Sequence, residues 1–184
     1  MGQLRPGNAG ANTAQDHVEL LDAALAQLPW PTRAEDPEQG PRVLVRSDSA
    51  GASHGFVDAI VERGLEFSVG FDVTEPVREA IPQLPEKSWV GAITKELEER
   101  EGAQVAEITG LLDLSSWPQG SRVLVRREEP HPGASYNLFD PHRLRHQALI
   151  TNSNDTDIAY LEAHHRLHAR VEDRDQGGRG VRPF

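Results

Sequence analysis

Residues 42–64 read RVLVRSDSAGASHGFVDAIVERG, a short apolar strand that leads through a turn of small residues into a helix. The segment Arg42–Arg46 is rich in Val and Leu, as strands are, and SDSAG follows it at once. The segment Ser53–Arg63 carries apolar residues at helical spacing, and Gly64 ends it. This order of strand, turn and helix indicates an α/β fold.

The regions on either side of this stretch differ in their periodicity. Before it, a helix is predicted from Asn12 or Thr13 to Leu28. After it, strands are predicted over 66–73, 104–108, 122–127 and 147–151, with a short helix over 75–81, a charged helical or turn segment over 95–101 and a long helix over 157–175. The pattern predicts an α/β core that is interrupted by a mostly β insertion.

Composition excludes several classes of protein. The chain has 184 residues, 37% of them hydrophobic, with a formal net charge of −10 and no Cys. No apolar run approaches the ~20 residues of a membrane span, and the first ten residues lack the apolar core of a secretory signal. Without Cys there are no disulfides and no thiolate zinc sites, so we expect a cytoplasmic protein that does not enter the membrane.

The charge is unevenly distributed along the chain. Residues 1–121 hold 9 basic and 20 acidic residues, whereas residues 122–184 hold 10 basic and 9 acidic residues and 6 of the 8 His. An acidic balance argues against binding to nucleic acid. That argument applies to the first two thirds of the chain and not to the last third.

Asp48 is the first candidate for chemistry. It follows an apolar strand and precedes a turn into a helix, and catalytic groups gather at the carboxyl ends of strands in open α/β sheets. A turn or helix-capping role for Asp48 is the alternative.

The second candidate is Glu172, on the predicted last helix. Ile158, Leu161, His165, His168 and Glu172 are spaced by three and four residues, so they share one face of that helix. His164, His168 and Glu172 also suggest a zinc site at i, i+4 spacing, although no HExxH pattern is present. A zinc hydrolase is therefore an alternative function.

Several segments, taken in order, resemble one known family. They are LRPGNAGANTAQDHVELLDAAL, RSDSAG, FSVGFDVTEPVREAI, VAEITGLLDLSSWPQGSRVLVRRE, PHPGASYNLFD, RHQALITN and HHRLHARVEDR, which together cover roughly residues 4–175. They resemble insertion-sequence transposases of the DDE class, in the group with a β-rich insertion in an RNase H-like core.

The resemblance implies cut-and-paste DNA transposition, in which two Asp and one Glu hold two Mg²⁺ (or Mn²⁺) ions for attack on phosphodiesters. Carboxylates suit this role because Mg²⁺ is a hard ion that prefers oxygen ligands. By position, Asp48 matches the second Asp and Glu172 the Glu, so both are expected to be catalytic and to bind metal. The implied partner is DNA, as transposon ends and target, and a homo-oligomer is left open.

The resemblance also implies phosphate contacts near the Glu, from a Tyr-Arg-Glu-Lys signature. At the corresponding positions this chain has His165, His168 and Arg179. The two His would donate to a phosphate best when protonated.

The departures from the family predict an incomplete enzyme. The acids before the strand at residue 42 lie in a helix (Asp16, Glu19, Asp22) or a loop (Glu35, Asp36, Glu38), not at a strand centre. We therefore expect a chain truncated at both ends that lacks the first Asp. Its expected segments are 1–66, a partial RNase H-like core; 67–152, a β-rich insertion; and 153–184, the helix of Glu172 with an irregular tail. The alternative function is a non-catalytic DNA-binding or interaction remnant.

Overall fold

The computed structural model describes residues 14–32, 40–129 and 144–167. In these residues, six strands form one mixed sheet in the order β1-β2-β6-β5-β4-β3, accompanied by four α-helices. The strands are β1 (Leu44–Ser47), β2 (Glu66–Phe71), β3 (Val90–Ile93), β4 (Glu99–Glu107), β5 (Arg122–Glu128) and β6 (Arg145–Thr151). The helices are α1 (Ala14–Leu25), α2 (His54–Glu62), α3 (Glu75–Ala80) and α4 (Ile158–Arg166). The predicted α/β class is confirmed, and the architecture agrees with a partial RNase H-like fold.

The predicted strand, turn and helix of residues 42–64 are present, and with β2 they form a parallel crossover unit. Ser53 caps α2 by accepting a hydrogen bond from Phe56 N (3.4 Å). Gly64 has a φ of 66°, a left-handed conformation that Gly adopts without steric cost, and it turns the chain into β2. β2 then pairs with β1 in parallel, with Ser47 opposite Val69.

The strands of the predicted β-rich segment 67–152 continue this same sheet. β6 pairs antiparallel with both β2 and β5, and β4 pairs antiparallel with β5 and β3. The sheet therefore runs without a break from the β1–β2 unit to β3. The segment boundaries at 66/67 and 152/153 stay a prediction.

Helices cover both faces of the sheet. One face packs against α1, α2 and α3 through a core that includes Phe56, Ile60, Phe67, Val69, Val123 and Ile150. The other face packs against α4 through a smaller cluster formed by Ala92, Ala103, Val105, Leu124 and Leu149, with Ile158 and Leu161 from the helix. Each helix in the described residues falls short of the length and apolar character that a membrane span requires.

The region around residues 95–101 differs from the expectation. A hairpin joins β3 to β4, so Glu99–Glu101 are strand residues and the turn lies at 94–98. Thr94 Oγ1 accepts from the amides of Glu96 and Glu98, which stabilises the turn locally. The many charged residues of this segment favour a solvated helix by composition, but pairing with β5 holds β4 in the sheet.

Candidate functional site

Asp48 follows the last residue of β1 and begins a 3₁₀ turn, Ser49–Gly51. Its Oδ1 accepts a hydrogen bond from Ala50 N (3.0 Å). The turn is tight, because a Cβ on Gly51 would lie 2.3 Å from Ser47 Oγ. Asp48 therefore does cap the turn, which was the alternative role. Its second carboxylate oxygen makes no hydrogen bond to any described residue.

A second carboxylate, Asp72, lies at the same end of the sheet. β1 and β2 run parallel, and Asp72 follows β2 as Asp48 follows β1. Gly70 allows the two segments to approach, since a Cβ there would lie 2.8 Å from Ser49 N and 3.0 Å from Asp48 C. The two acids thus line one cleft, and neither forms an ion pair with a described residue.

The C-terminal half of α4 forms the next wall of this cleft. Asp157 caps the start of α4 by accepting from Tyr160 N (2.9 Å). Toward the other end, Arg46 of β1 donates to the carbonyl oxygen of His164. Ser68 Oγ of β2 is hydrogen-bonded to His165 Nδ1 (2.9 Å). His165, a predicted phosphate contact, therefore lines the same cleft as Asp48.

A chain of alternating charges joins α4 to β5 and β4. Buried Glu162 accepts from Arg126 Nη1 (2.8 Å) and from Arg166 Nε (2.7 and 2.9 Å to its two oxygens). Arg126 Nη2 reaches Glu128 (3.2 Å), and Glu128 accepts from Arg100 (2.8 Å). We call these five residues the arginine–glutamate network. Burial holds the pKa of Arg126 below its usual value, with Glu162 and Glu128 opposing the fall and Arg100 and Arg166 adding to it, and the guanidinium stays charged.

These elements enclose an open cleft of about 730 Å³, a size typical of ligand sites. Its charged and titratable lining comes from the β1–β2 end, from β4, β5 and β6, and from α4. These lining residues are Asp48, Asp72, Arg100, Arg126, His146, Glu162, His165 and Arg166.

Three predicted site residues, Glu172, His168 and Arg179, lie outside the described residues. Asp48 and His165 are the two that the structure describes, and it brings them to one cleft. The roles assigned to all five stay predictions.

His164, from the alternative zinc set, is held by contacts to protein. Its ring stacks on Tyr160, with 5.5 Å between centroids. Burial lowers the pKa of His164, and the nearby guanidinium of Arg46 lowers it further. The described part of the chain has no group of three His, Asp or Glu side chains arranged to hold a metal ion.

The donors at the cleft are of the kind that a hard divalent cation prefers. Asp48 offers one free carboxylate oxygen, and Asp72 stands at the same edge. Glu162 is engaged by two guanidinium groups and is not available as a ligand. The described residues therefore supply two carboxylates without an ion pair and no cluster of three, and Mg²⁺ in proteins is commonly held by one or two carboxylates together with water.

Sequence reasoning missed Asp72, the arginine–glutamate network and the burial of Glu162. Asp72 falls inside the strand predicted over 66–73, whereas in the structure that strand ends at Phe71. Glu162 and Arg166 have the i, i+4 spacing of a helix ion pair. The link from Glu162 to Arg126 spans 36 residues and leaves no local signal.

Comparison with known proteins adds one match. The model of the family described as transposase DDE domain group 1 matches residues 1–174. Among curated proteins, no sequence matches this chain.

Proposed function

This chain belongs to the transposase DDE domain group 1 family, and from that premise we propose that these 184 residues are a DNA-binding, catalytically incomplete part of a cut-and-paste transposase. The observation that carries the proposal is the position of Asp48. It stands at the carboxyl end of a strand, with a free carboxylate oxygen, in a cleft that arginines line on another side.

In this proposal Asp48 and Glu172 are the carboxylates that hold Mg²⁺ or Mn²⁺. When bound, the ion would activate water or a 3′-hydroxyl for attack on a DNA phosphodiester. The turn of Ser49–Gly51 keeps Asp48 at the strand end by using only Oδ1. The other oxygen is left for the cation.

The proposal of incompleteness rests on the first Asp of the family's trio: the acids before β1 that the structure describes, Asp16, Glu19 and Asp22, lie on α1 and not on a strand. Glu162 is buried against Arg126 and Arg166, so the acidic lining free of ion pairs, among the described residues, is Asp48 and Asp72. Two-metal chemistry needs carboxylates that bridge and flank both ions. Without the first Asp, we expect weak cation binding and no strand cleavage by this chain alone.

A cleavage assay tests the proposal. The purified chain is incubated with Mg²⁺ or Mn²⁺ and DNA that carries the ends of the element, and the products are resolved on a gel. We expect DNA binding that weakens with salt, and no cleavage. Double-strand cleavage that is lost in Asp48→Ala, but kept in the control Asp113→Ala, would overturn the incompleteness. The control is matched because Asp113 caps a similar turn by accepting from Ser115 N (2.9 Å).

The two alternatives have their own readouts. A purely interacting remnant would bind a full-length relative but not DNA at low salt. A zinc hydrolase built on His164, His168 and Glu172 would contain stoichiometric zinc when purified without a histidine tag, and metal analysis decides that point.

A further inference from the structure

We propose that Arg100 and Arg166, each clamped by a glutamate, bind a backbone phosphate of nucleic acid in the cleft. This inference rests on the proposed function, which names nucleic acid as the substrate, and it assigns residues that the family resemblance did not. The juxtaposition that carries it is a pair of partly exposed guanidinium groups fixed by buried carboxylates in the same cleft as Asp48.

In each arginine, part of the guanidinium donates to a glutamate, and other N–H groups make no hydrogen bond to a described residue. Arg100 uses Nη2 to reach Glu128, and its Nε and Nη1 make no hydrogen bond to a described residue. Arg166 uses Nε on Glu162 and Nη2 on the carbonyl of Ile93, and its Nη1 makes no hydrogen bond within the described part. A guanidinium that is already ordered loses less conformational entropy on binding an anion.

The charge of the network also favours an anion. Three arginines share two glutamates, which leaves one excess positive charge. The central residue, Arg126, has a side chain only 6% exposed, and its buried Nε has no hydrogen-bond partner among the described residues. Excess charge next to a poorly solvated guanidinium is costly unless a counter-ion compensates it. Asp48 and Asp72 line the same cleft but form no ion pair with these arginines among the described residues.

The exposure of the side chains shows where the anion would bind. Arg100 and Arg166 are 32% and 23% exposed, whereas Glu162 is 5% exposed. A ligand in the cleft therefore reaches the two outer arginines more readily than Glu162. A phosphate matches the planar, forked geometry of a guanidinium better than a point anion does.

The test is DNA binding by the full chain, measured by fluorescence anisotropy with a fluorescein-labelled 20-base-pair duplex over a range of salt concentrations. The variant is Arg100→Gln with Arg166→Gln. We expect an affinity about tenfold lower or worse, and a salt slope smaller by about one for each lost phosphate contact. The control, Arg78→Gln, removes an exposed arginine of α3 and should bind as the wild type does.

Each result of the DNA-binding measurement supports or contradicts the role proposed for the two arginines. A double variant that binds like the control overturns this inference and leaves the proposed function standing, whereas a wild-type chain that does not bind DNA overturns both. A second arm titrates inorganic phosphate. Loss of phosphate binding in the variant, with DNA binding intact, would assign the arginines to a free anion and contradict the proposal.

A conservative variant covers the case in which the glutamine variant does not fold. Arg100→Lys with Arg166→Lys keeps both charges and loses the forked geometry. Lower affinity at an unchanged salt slope supports the proposal, and unchanged affinity contradicts it.

Discussion

Asp48 shows how one side chain serves the local fold and the candidate site together. Its Oδ1 closes the turn that ends β1, and its other oxygen remains in the cleft. An asparagine keeps a carbonyl oxygen for the cap but loses the charge that a hard cation requires. The two roles can therefore be separated by substitution.

We predict that Asp48→Asn leaves the free energy of unfolding unchanged and abolishes the weak affinity for Mn²⁺. Asp48→Ala should abolish that affinity and also lower the free energy of unfolding. Loss of the cap in the alanine variant should lower the free energy of unfolding by ~0.5–2 kcal/mol. Urea denaturation and Mn²⁺ titration calorimetry measure the two effects. Asp113→Asn, at a similar turn, is the control and should change neither. Wild-type Mn²⁺ affinity in Asp48→Asn would remove Asp48 from the metal site.

His164 predicts a pH dependence of stability. Burial and then Arg46 hold the pKa of His164 below the ordinary value of about 6.5, so the folded state binds this proton less well than the unfolded state does. The stability gained by keeping His164 neutral is fully present above about pH 6.5, and it declines as the pH falls below that value. Thermal melts between about pH 7.5 and 5.5 should show a falling Tm, less steeply in His164→Gln. A wild-type slope in His164→Gln would contradict the assignment.

At this scale the sequence could predict Asp48 but not Asp72 as a lining residue. Asp48 lies in a strand–turn–helix stretch whose signals are all local. Asp72 joins the site only because β2 pairs in parallel with β1 and Gly70 lets the strand ends approach. Those two facts depend on contacts between residues more than 20 positions apart.

At the scale of elements, α4 is fixed to the sheet by apolar contacts and by a buried carboxylate. Ile158 and Leu161 pack on the smaller core, as their spacing predicts. Glu162, one residue further, is also buried, because Arg126 of β5 lies beneath it. A charged residue at an inward position cannot be predicted from periodicity alone, since the pattern treats it as solvent-facing.

We expect Glu162→Ala to lower the free energy of unfolding more than the loss of a surface ion pair does. Loss of one partner of a buried ion pair costs ~3–5 kcal/mol, and the cost here should stay at or below that range because Glu128 and Gln147 still accept from Arg126. Urea denaturation gives the value. Glu75→Ala, which breaks the exposed Arg78–Glu75 pair, is the control, with an expected loss of ~0–1 kcal/mol. Equal losses in the two variants would mean that Glu162 does not hold α4.

β3 was the strand that sequence reasoning missed. Its four residues carry little β-branched character, with Gly91 and Ala92 in the middle, and its register shifts between Gly91 and Ile93. Such a strand exists because β4 and α4 pack against it. The long strands β5 and β6, rich in aliphatic residues, were predicted close to their observed bounds.

At the scale of the molecule, β1 is an edge strand of the sheet that the described residues form. Glu66 N donates to Val43 O, so Val43 and Val45 present their backbone groups to β2, and those of Leu44 and Arg46 point the other way. The described residues supply no partner strand on that side. A strand's own sequence does not state which neighbours it has, so this edge could not be predicted from residues 42–46 alone.

The open edge predicts self-association of the isolated chain, because unpaired backbone groups on an edge strand recruit further strands. Leu44→Lys places a charge on β1, and we expect it to slow the rise in light scattering with time and concentration severalfold. Leu111→Lys makes the same chemical change at an exposed 3₁₀ turn outside the sheet, and it should scatter like the wild type. Equal rates in both variants would place the association elsewhere on the surface. A wild-type chain that stays monomeric and melts reversibly would show that this edge is protected.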